Sequence, residues 1–265
     1  MEYMNNNKEA WEEAFDKSSD EWCGNDIINQ LETEEYPFIE KVLVDEIINY
    51  DFSKKTIAQF CCNNGRELMS IMKFGGEKGV GFDIAENMIS FANQTAEKLG
   101  VNCTFVATNI LEIDREYYNS FDYIFVTIGA LTWFEDLNLF FDKVSQCLKK
   151  EGQLIINEMH PTANMLGAPG EDNYDKNSPN KLVYSYFRKE PWIENDGMGY
   201  MDTGAYKSKT FQSYSHTFAD ILNSICQNGM KLSKIKEFDY DISGMFSELN
   251  NIGIPLSYLL VGKKR

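Results

Sequence analysis

Three short stretches of the chain hold residues whose types and spacing suit the binding of a nucleoside. The run Cys61-Cys62-Asn63-Asn64-Gly65-Arg66-Glu67 follows an apolar stretch and precedes a helical pattern. Gly65 therefore stands where backbone must approach a ligand closely or adopt a conformation that other residues avoid. Eighteen residues on, Asp83 ends a second short apolar run. A carboxylate so placed accepts hydrogen bonds from ribose hydroxyls; the alternative is an N-cap for a helix starting at Ala85. Thr108-Asn109-Ile110 ends a third run, where it meets the edge and face of an adenine or makes an ordinary turn. His160 and His216 are the two histidines, and both lie at element ends. His160, with Glu158 two residues before it, is the candidate general base; a structural histidine or helix cap is the alternative for each. Glu158, His160 and His216 lack the tight spacing of a metal site, so no metal is expected.

Such residues need elements to hold them. Residues 56–62 read as a buried strand, followed by a helix from Gly65 to about Phe74 that Gly75-Gly76 stops. After a strand at 80–83, Met88, Phe91, Ala92, Thr95, Ala96 and Leu99 recur at helical spacing, with Gly100 as the stop. Further strands are expected at 103–107, 121–126 and 153–159, with a helix through Leu137, Phe140, Val144, Cys147 and Leu148 before the last of these. This alternation means right-handed βαβ units and a parallel sheet, which binds ligands at the carboxyl ends of its strands. A helix at 216–228 and strands at 230–240 and 255–262 complete the pattern. Only a loop joins those two strands, so they should pair antiparallel. The expected class is α/β: a doubly wound, mostly parallel seven-stranded sheet with an antiparallel last strand and a cap insertion.

The insertion is residues 161–214, where Pro161, Pro169, Pro179, Pro191 and many aromatics break the rhythm. Within it, residues 181–189 alternate like an exposed strand. The chain thus divides into an N-terminal helical lid (1–50), a cofactor-binding core (51–160), an aromatic-rich substrate cap (161–214) and the C-terminal part of the core (215–265). Packing against the core is the alternative reading of the acidic N-terminal helices. Trp133, with Tyr184 and Tyr186 of the cap and His216 at its edge, would line an apolar or cation-favouring substrate pocket that Trp11 closes. For any single one of these a plain packing role is the alternative.

Composition bounds the rest. The chain has 265 residues, 43% hydrophobic and 14% aromatic, enough to bury a large core without staples. No apolar run approaches the ~18 residues that cross a bilayer, and residues 1–7 lack the pattern of a secretory signal. Six cysteines without a C-x-x-C pair read as free thiols in a reducing compartment, so a cytoplasmic protein with no membrane partner is expected. A formal net charge of −16 and the absence of a basic stripe disfavour nucleic acid. Monomer and homodimer both remain open.

A dinucleotide site wants Gly-x-Gly-x-x-Gly so that pyrophosphate can sit on the helix N-terminus; here those glycine positions hold Cys61 and Asn63, which argues against a nicotinamide enzyme. The order Cys-Cys-Asn-Asn-Gly-Arg-Glu, Gly-Phe-Asp-Ile, Phe-Asp-Tyr-Ile-Phe, Leu-Lys-Lys-Glu-Gly-Gln-Leu-Ile-Ile instead resembles motifs one to five of class I S-adenosylmethionine-dependent methyltransferases, in a bacterial small-molecule branch. The likeness is strong over residues 55–160. It departs from the pattern in the two missing glycines, in Gln59 at the common acid of motif one, and in Asn109 at the frequent acid of motif three. The resemblance implies a Rossmann-like fold and S-adenosylmethionine as cofactor. Cys61, Asn63 and Gly65 would surround its methionine part and Asp83 its ribose. Ile84, Met88, Asn109 and Ile110 would meet the adenine, and Thr127, Ile128 and Gly129 would border the sulfonium. The implied function is methyl transfer to a nucleophilic N, O or S atom of a small molecule. The alternatives are a catalytically degenerate sensor or scaffold that binds the same cofactor and, behind it, a nicotinamide-dependent oxidoreductase.

Overall fold

Strands with apolar residues on both faces must be covered on both faces, and that requirement organises the molecule. β1 (Thr56–Phe60) and β4 (Phe121–Val126) bury Ile57, Ala58, Phe60, Ile124, Phe125 and Val126 completely. With β2 (Lys78–Asp83), β3 (Cys103–Ala107), β5 (Leu148–Met159), β8 (Met230–Phe238) and β9 (Ser257–Lys264) they form a seven-stranded sheet in the order β3-β2-β1-β4-β5-β9-β8. β3 to β5 pair in parallel, and β9 runs antiparallel to both β5 and β8. The expected Rossmann-like, mostly parallel sheet is thus the one found. The structure is a computed structural model, and it describes residues 2–201, Thr203 and residues 206–265. Met1 of the expected lid and Asp202, Gly204 and Ala205 of the expected cap lie outside the described residues.

Alternate residues of each strand point to opposite faces, and two cores result. On one face Ala58, Phe60, Val80, Phe82, Ile124 and Leu154 pack with α7 (Leu137–Cys147) and α8 (Phe218–Gln227) through Phe140, Val144, Ile221 and Ile225. On the other, Ile57, Phe125, Ile155 and Leu259 meet α3 (Asn25–Thr33), α4 (Lys41–Ile47), α5 (Arg66–Met72) and α6 (Glu86–Leu99) through residues such as Ile27, Leu43, Met69 and Ala92. The N-terminal helices consequently divide. α3 and α4 complete the second core, whereas α1 (Glu2–Asp16), followed by the short α2 (Asp20–Cys23), lends Met4 to the first core and otherwise sits over the sheet's carboxyl edge. α1 buries Ala10, Ala14 and Phe15 together with Ala85 and Met88 at the start of α6. Among the described residues, no helix is long and apolar enough to cross a membrane.

Three local expectations change. β5 begins five residues earlier than read, because Leu148 already pairs with Phe121 and a register shift, with Glu151 left-handed at φ 66°, absorbs the Glu151-Gly152 turn. Residues 181–189 form turns instead of an exposed strand. Their alternation finds no partner edge beyond one bridge between Leu166 and Leu182, and Phe187 is left 72% exposed. The strands of this region are instead β6 (Trp192–Glu194) and β7 (Phe211–Ser213), an antiparallel pair apart from the main sheet. Finally, the last helix begins at Phe218, two residues after the His216 start. There Thr217 accepts the Asp220 N–H while the Asp220 side chain accepts the Thr217 N–H, a reciprocal cap.

Candidate active site

The chain reverses its direction across the sheet between β1 and β4, and the candidate residues gather at the carboxyl ends beside that point. The loop leaving β1 is shaped by left-handed residues: Cys61 at φ 57°, Asn63 at 52° and Gly65 at 80°. Asn tolerates that region, whereas for Cys it is costly, of order 1–2 kcal/mol. The loop therefore keeps a glycine-like path although two of the three positions are not glycine. Gly65 is required twice over, by its φ and by space: a Cβ there would come within 2.5 Å of the Phe105 ring and 2.9 Å of Ala92. Packing on Phe105, not a ligand alone, demands the glycine.

Asp83 fastens this loop. Its Oδ2 accepts the Asn63 N–H at 2.8 Å and its Oδ1 the Ala85 N–H at 3.1 Å. Burial pushes its carboxyl above the ordinary value, and the backbone N–H groups oppose that rise. A carboxylate offers about four lone-pair sites, so each oxygen keeps one for a ribose hydroxyl. Residues and group fit. α6 is capped elsewhere: Glu12 of α1 accepts the Glu86 N–H, and Asn87 donates to the Glu12 carbonyl and to Asp16. The N-cap alternative for Asp83 is thereby reduced to a single bond to Ala85.

The neighbouring residues are placed as follows. The Thr108 N–H donates to the Asp83 carbonyl, and the Asn109 side-chain oxygen accepts the Leu111 N–H at 3.0 Å, which leaves that oxygen a second lone pair. Ile110 is buried and Ile84 half-buried against the first core. Met88 is only 1% exposed, covered by α1 and Met201. At the end of β4, Thr127 is buried, Ile128 half-buried, and Gly129 left-handed at φ 81°. Glu158 holds the turn that follows. Its carboxylate accepts the N–H groups of Gly129 (2.6 Å), Ala130 (2.9 Å), Leu131 (3.5 Å) and Met159 (2.9 Å). Burial pushes this carboxyl up to about 7, against the pull of those four donors.

A small cleft opens beside Thr127 and Ile128, and Glu40, Glu67 and Asn157 also line it. Sequence reading did not single these three out. In its wall the Gln59 amide donates to Glu67 Oε2 (2.8 Å) and Thr127 Oγ1 (2.9 Å), and the Thr127 hydroxyl donates to the same Glu67 oxygen. The available signal was Gln59 at a position where the resemblance expects an acid, with Glu67 eight residues later.

The histidines are engaged. His160 Nδ1 accepts the Thr162 N–H, capping the turn at Pro161–Met165, and Nε2 lies 3.0 Å from Glu237 of β8. Its ring packs on Phe218 and Tyr258, and burial holds it below its ordinary value despite Glu237. Nδ1 thus serves as a cap, and Nε2 of the neutral ring faces the Glu237 carboxylate. His216 Nε2 meets the Phe134 carbonyl at 2.8 Å, and burial lowers it also. Trp11 and Trp133 do come together, edge to face at 5.2 Å, and Phe211 closes the trio at 5.4 and 6.0 Å. These rings fill one another's space. Tyr184 packs instead on Trp192 at 4.7 Å, and the Tyr186 hydroxyl accepts the Phe218 N–H at the start of α8.

The profile of a family described as "Methyltransferase domain" matches residues 51–195. An uncharacterized protein of Haemophilus influenzae is 23% identical over 187 residues, 69% of this chain and 70% of that one. An S-adenosylmethionine dependent methyltransferase from Mesorhizobium loti superposes with a TM-score of 0.62 at 16% identity, over 88% of this chain and all (100%) of that one. The geranyl diphosphate C-methyltransferase of Streptomyces coelicolor, in complex with Mg2+, geranyl diphosphate and S-adenosyl-L-homocysteine, gives 0.57 at 13% identity, over 85% of this chain and 78% of that one.

Proposed function

This chain belongs to the methyltransferase-domain family, and from that premise we propose that it moves the methyl group of S-adenosylmethionine to a nucleophilic N, O or S atom of a small molecule. One observation carries the reading. Asp83, at the end of β2, is tied through the Asn63 N–H to a loop whose residues 61, 63 and 65 are all left-handed. That joins a ribose acceptor and a close-approach bend in one rigid unit. When bound, the cofactor supplies a methyl group already activated by a sulfonium.

The chain's own residues then have three tasks. Asp83 receives the ribose hydroxyls, Asn109 and Ile110 take the adenine, and the turn Thr127–Gly129 borders the donor end. Glu158 keeps that turn in place through its four backbone contacts. In-line displacement asks chiefly for alignment and exclusion of water, and Trp11, Trp133 and Phe211 seal the carboxyl edge. A general base is needed only for an acceptor that carries a proton. With Nδ1 of His160 capping the turn after β5 and its ring packed on Phe218 and Tyr258, the histidine is assigned to holding the end of β5. The net charge of −16 supports a small acceptor over nucleic acid. The same architecture in the Streptomyces neighbour serves geranyl diphosphate, itself a small molecule.

Calorimetry with S-adenosylmethionine and S-adenosylhomocysteine tests the reading. Asp83→Ala should weaken both more than about tenfold, as loss of a charge-assisted contact implies. No heat with either nucleoside for the unmodified chain would overturn it.

A further inference from the structure

We infer that Glu67 receives the α-ammonium group of the cofactor's methionine tail, a task for which β1 offers only the uncharged Gln59. The inference rests on the reading that the nucleoside lies at Asp83. A methionine tail brings a positive ammonium to the carboxyl edge of β1 and β4, and a cation withdrawn from water needs a carboxylate within hydrogen-bond reach. The loop from Cys61 to Gly65 presents no charged side chain, and Asp83 stands one strand away.

Glu67 meets the need by position. It is the second residue of α5, immediately beyond the Gly65 bend, and it lines the cleft together with Thr127 and Ile128. Its orientation is set from two elements, by the Gln59 amide of β1 and by the Thr127 hydroxyl at the end of β4. A carboxylate held in that way is pre-organised, with lone pairs to spare for a third donor.

A second observation concerns Gln59. The residue is 1% exposed, and its carbonyl Oε1 is buried with no hydrogen-bond partner among the described residues. Buried acceptors are normally satisfied. An ammonium, with three donors, would satisfy this one while pairing with Glu67. Glu40, the other carboxylate of the cleft, is less suited, because burial and Glu67 itself push it toward the neutral form. The chain thus compensates for the amide at position 59 by turning a helix carboxylate toward the same place.

The test compares S-adenosylhomocysteine, which carries the amino-acid tail, with 5′-methylthioadenosine, which has the same nucleoside and no tail. For Glu67→Gln in the full chain, the first should bind about tenfold or more weakly while the second stays within about twofold. Exchanging the two side chains, Gln59→Glu with Glu67→Gln, should restore most of the loss; this also guards against a variant that merely folds badly. Equal weakening of both ligands, unchanged binding of S-adenosylhomocysteine, or an exchange variant that fails to recover would overturn the inference. Tighter binding of S-adenosylhomocysteine to Glu67→Gln would place the tail's carboxylate there instead and overturn it too. A chain that binds neither ligand defeats the proposed function itself, and this inference with it.

Discussion

Glu158, the candidate two residues before His160, gathers four backbone N–H groups and organises the turn after β4. Its carboxyl sits at about 7, above the ordinary 4.5. A group whose folded value is raised binds its proton more tightly folded than unfolded, so its contribution is full below about 4.5 and is lost as pH rises through about 7. The loss is of order 3 kcal/mol for a shift of this size. Glu158→Gln should abolish that slope. Urea midpoints measured from pH 5 to 8 would show it as the difference between the two proteins. The difference is the needed quantity because His160 and His216, lowered by burial, contribute the opposite slope nearby. Parallel profiles would mean that Glu158 ionises normally.

At the scale of elements, α1 links the sheet's first core, through Met4, to the cluster over α6, through Ala10, Ala14 and Phe15. It is fastened at both sides. Asn7 exchanges two hydrogen bonds with the Gln212 backbone of β7, at 2.7 and 2.8 Å, and Glu12 and Asp16 hold the start of α6. Asn7→Ala leaves the Gln212 backbone unpaired, at a local cost of about 1–3 kcal/mol. Hydrogen exchange should therefore quicken in Glu2–Asp16 and in Phe211–Ser213 while β1, β4 and β5 keep their protection. Uniform acceleration across the sheet would show α1 to be part of the main cooperative unit. Because α1 covers Met88, a looser α1 should also speed cofactor association.

Taken as a whole, the molecule carries 41 acidic against 25 basic side chains. Its ion pairs use only some of them, for instance Glu46, buried between Lys234 and Lys236. Self-repulsion of the remaining negative charge opposes compaction, and salt screens it within a Debye length of about 8 Å at physiological strength. The melting temperature should accordingly rise by a few degrees from about 10 mM to about 150 mM sodium chloride. A flat or falling dependence would mean that local ion pairs outweigh the net field.

Much of the architecture was legible because it follows from period and punctuation. Strand runs buried on both faces, helical spacing in 86–99 and the glycine stop at Gly100 need no partner to be recognised. The residues at strand ends, Gly65, Asp83 and Thr127, follow from that register. Segments whose conformation depends on distant partners were not legible: residues 181–189 alternate but meet no free edge, and the partners of His160 come from β8 and α8. Sequence by itself determined that β1 to β5 run parallel and share one carboxyl edge, since alternating βα units return each strand in the same direction; their order across the sheet came from the tertiary structure. Tertiary structure alone decided that Glu67 would turn toward Thr127, because a contact between residues sixty positions apart is chosen by packing across the sheet and not by any local preference.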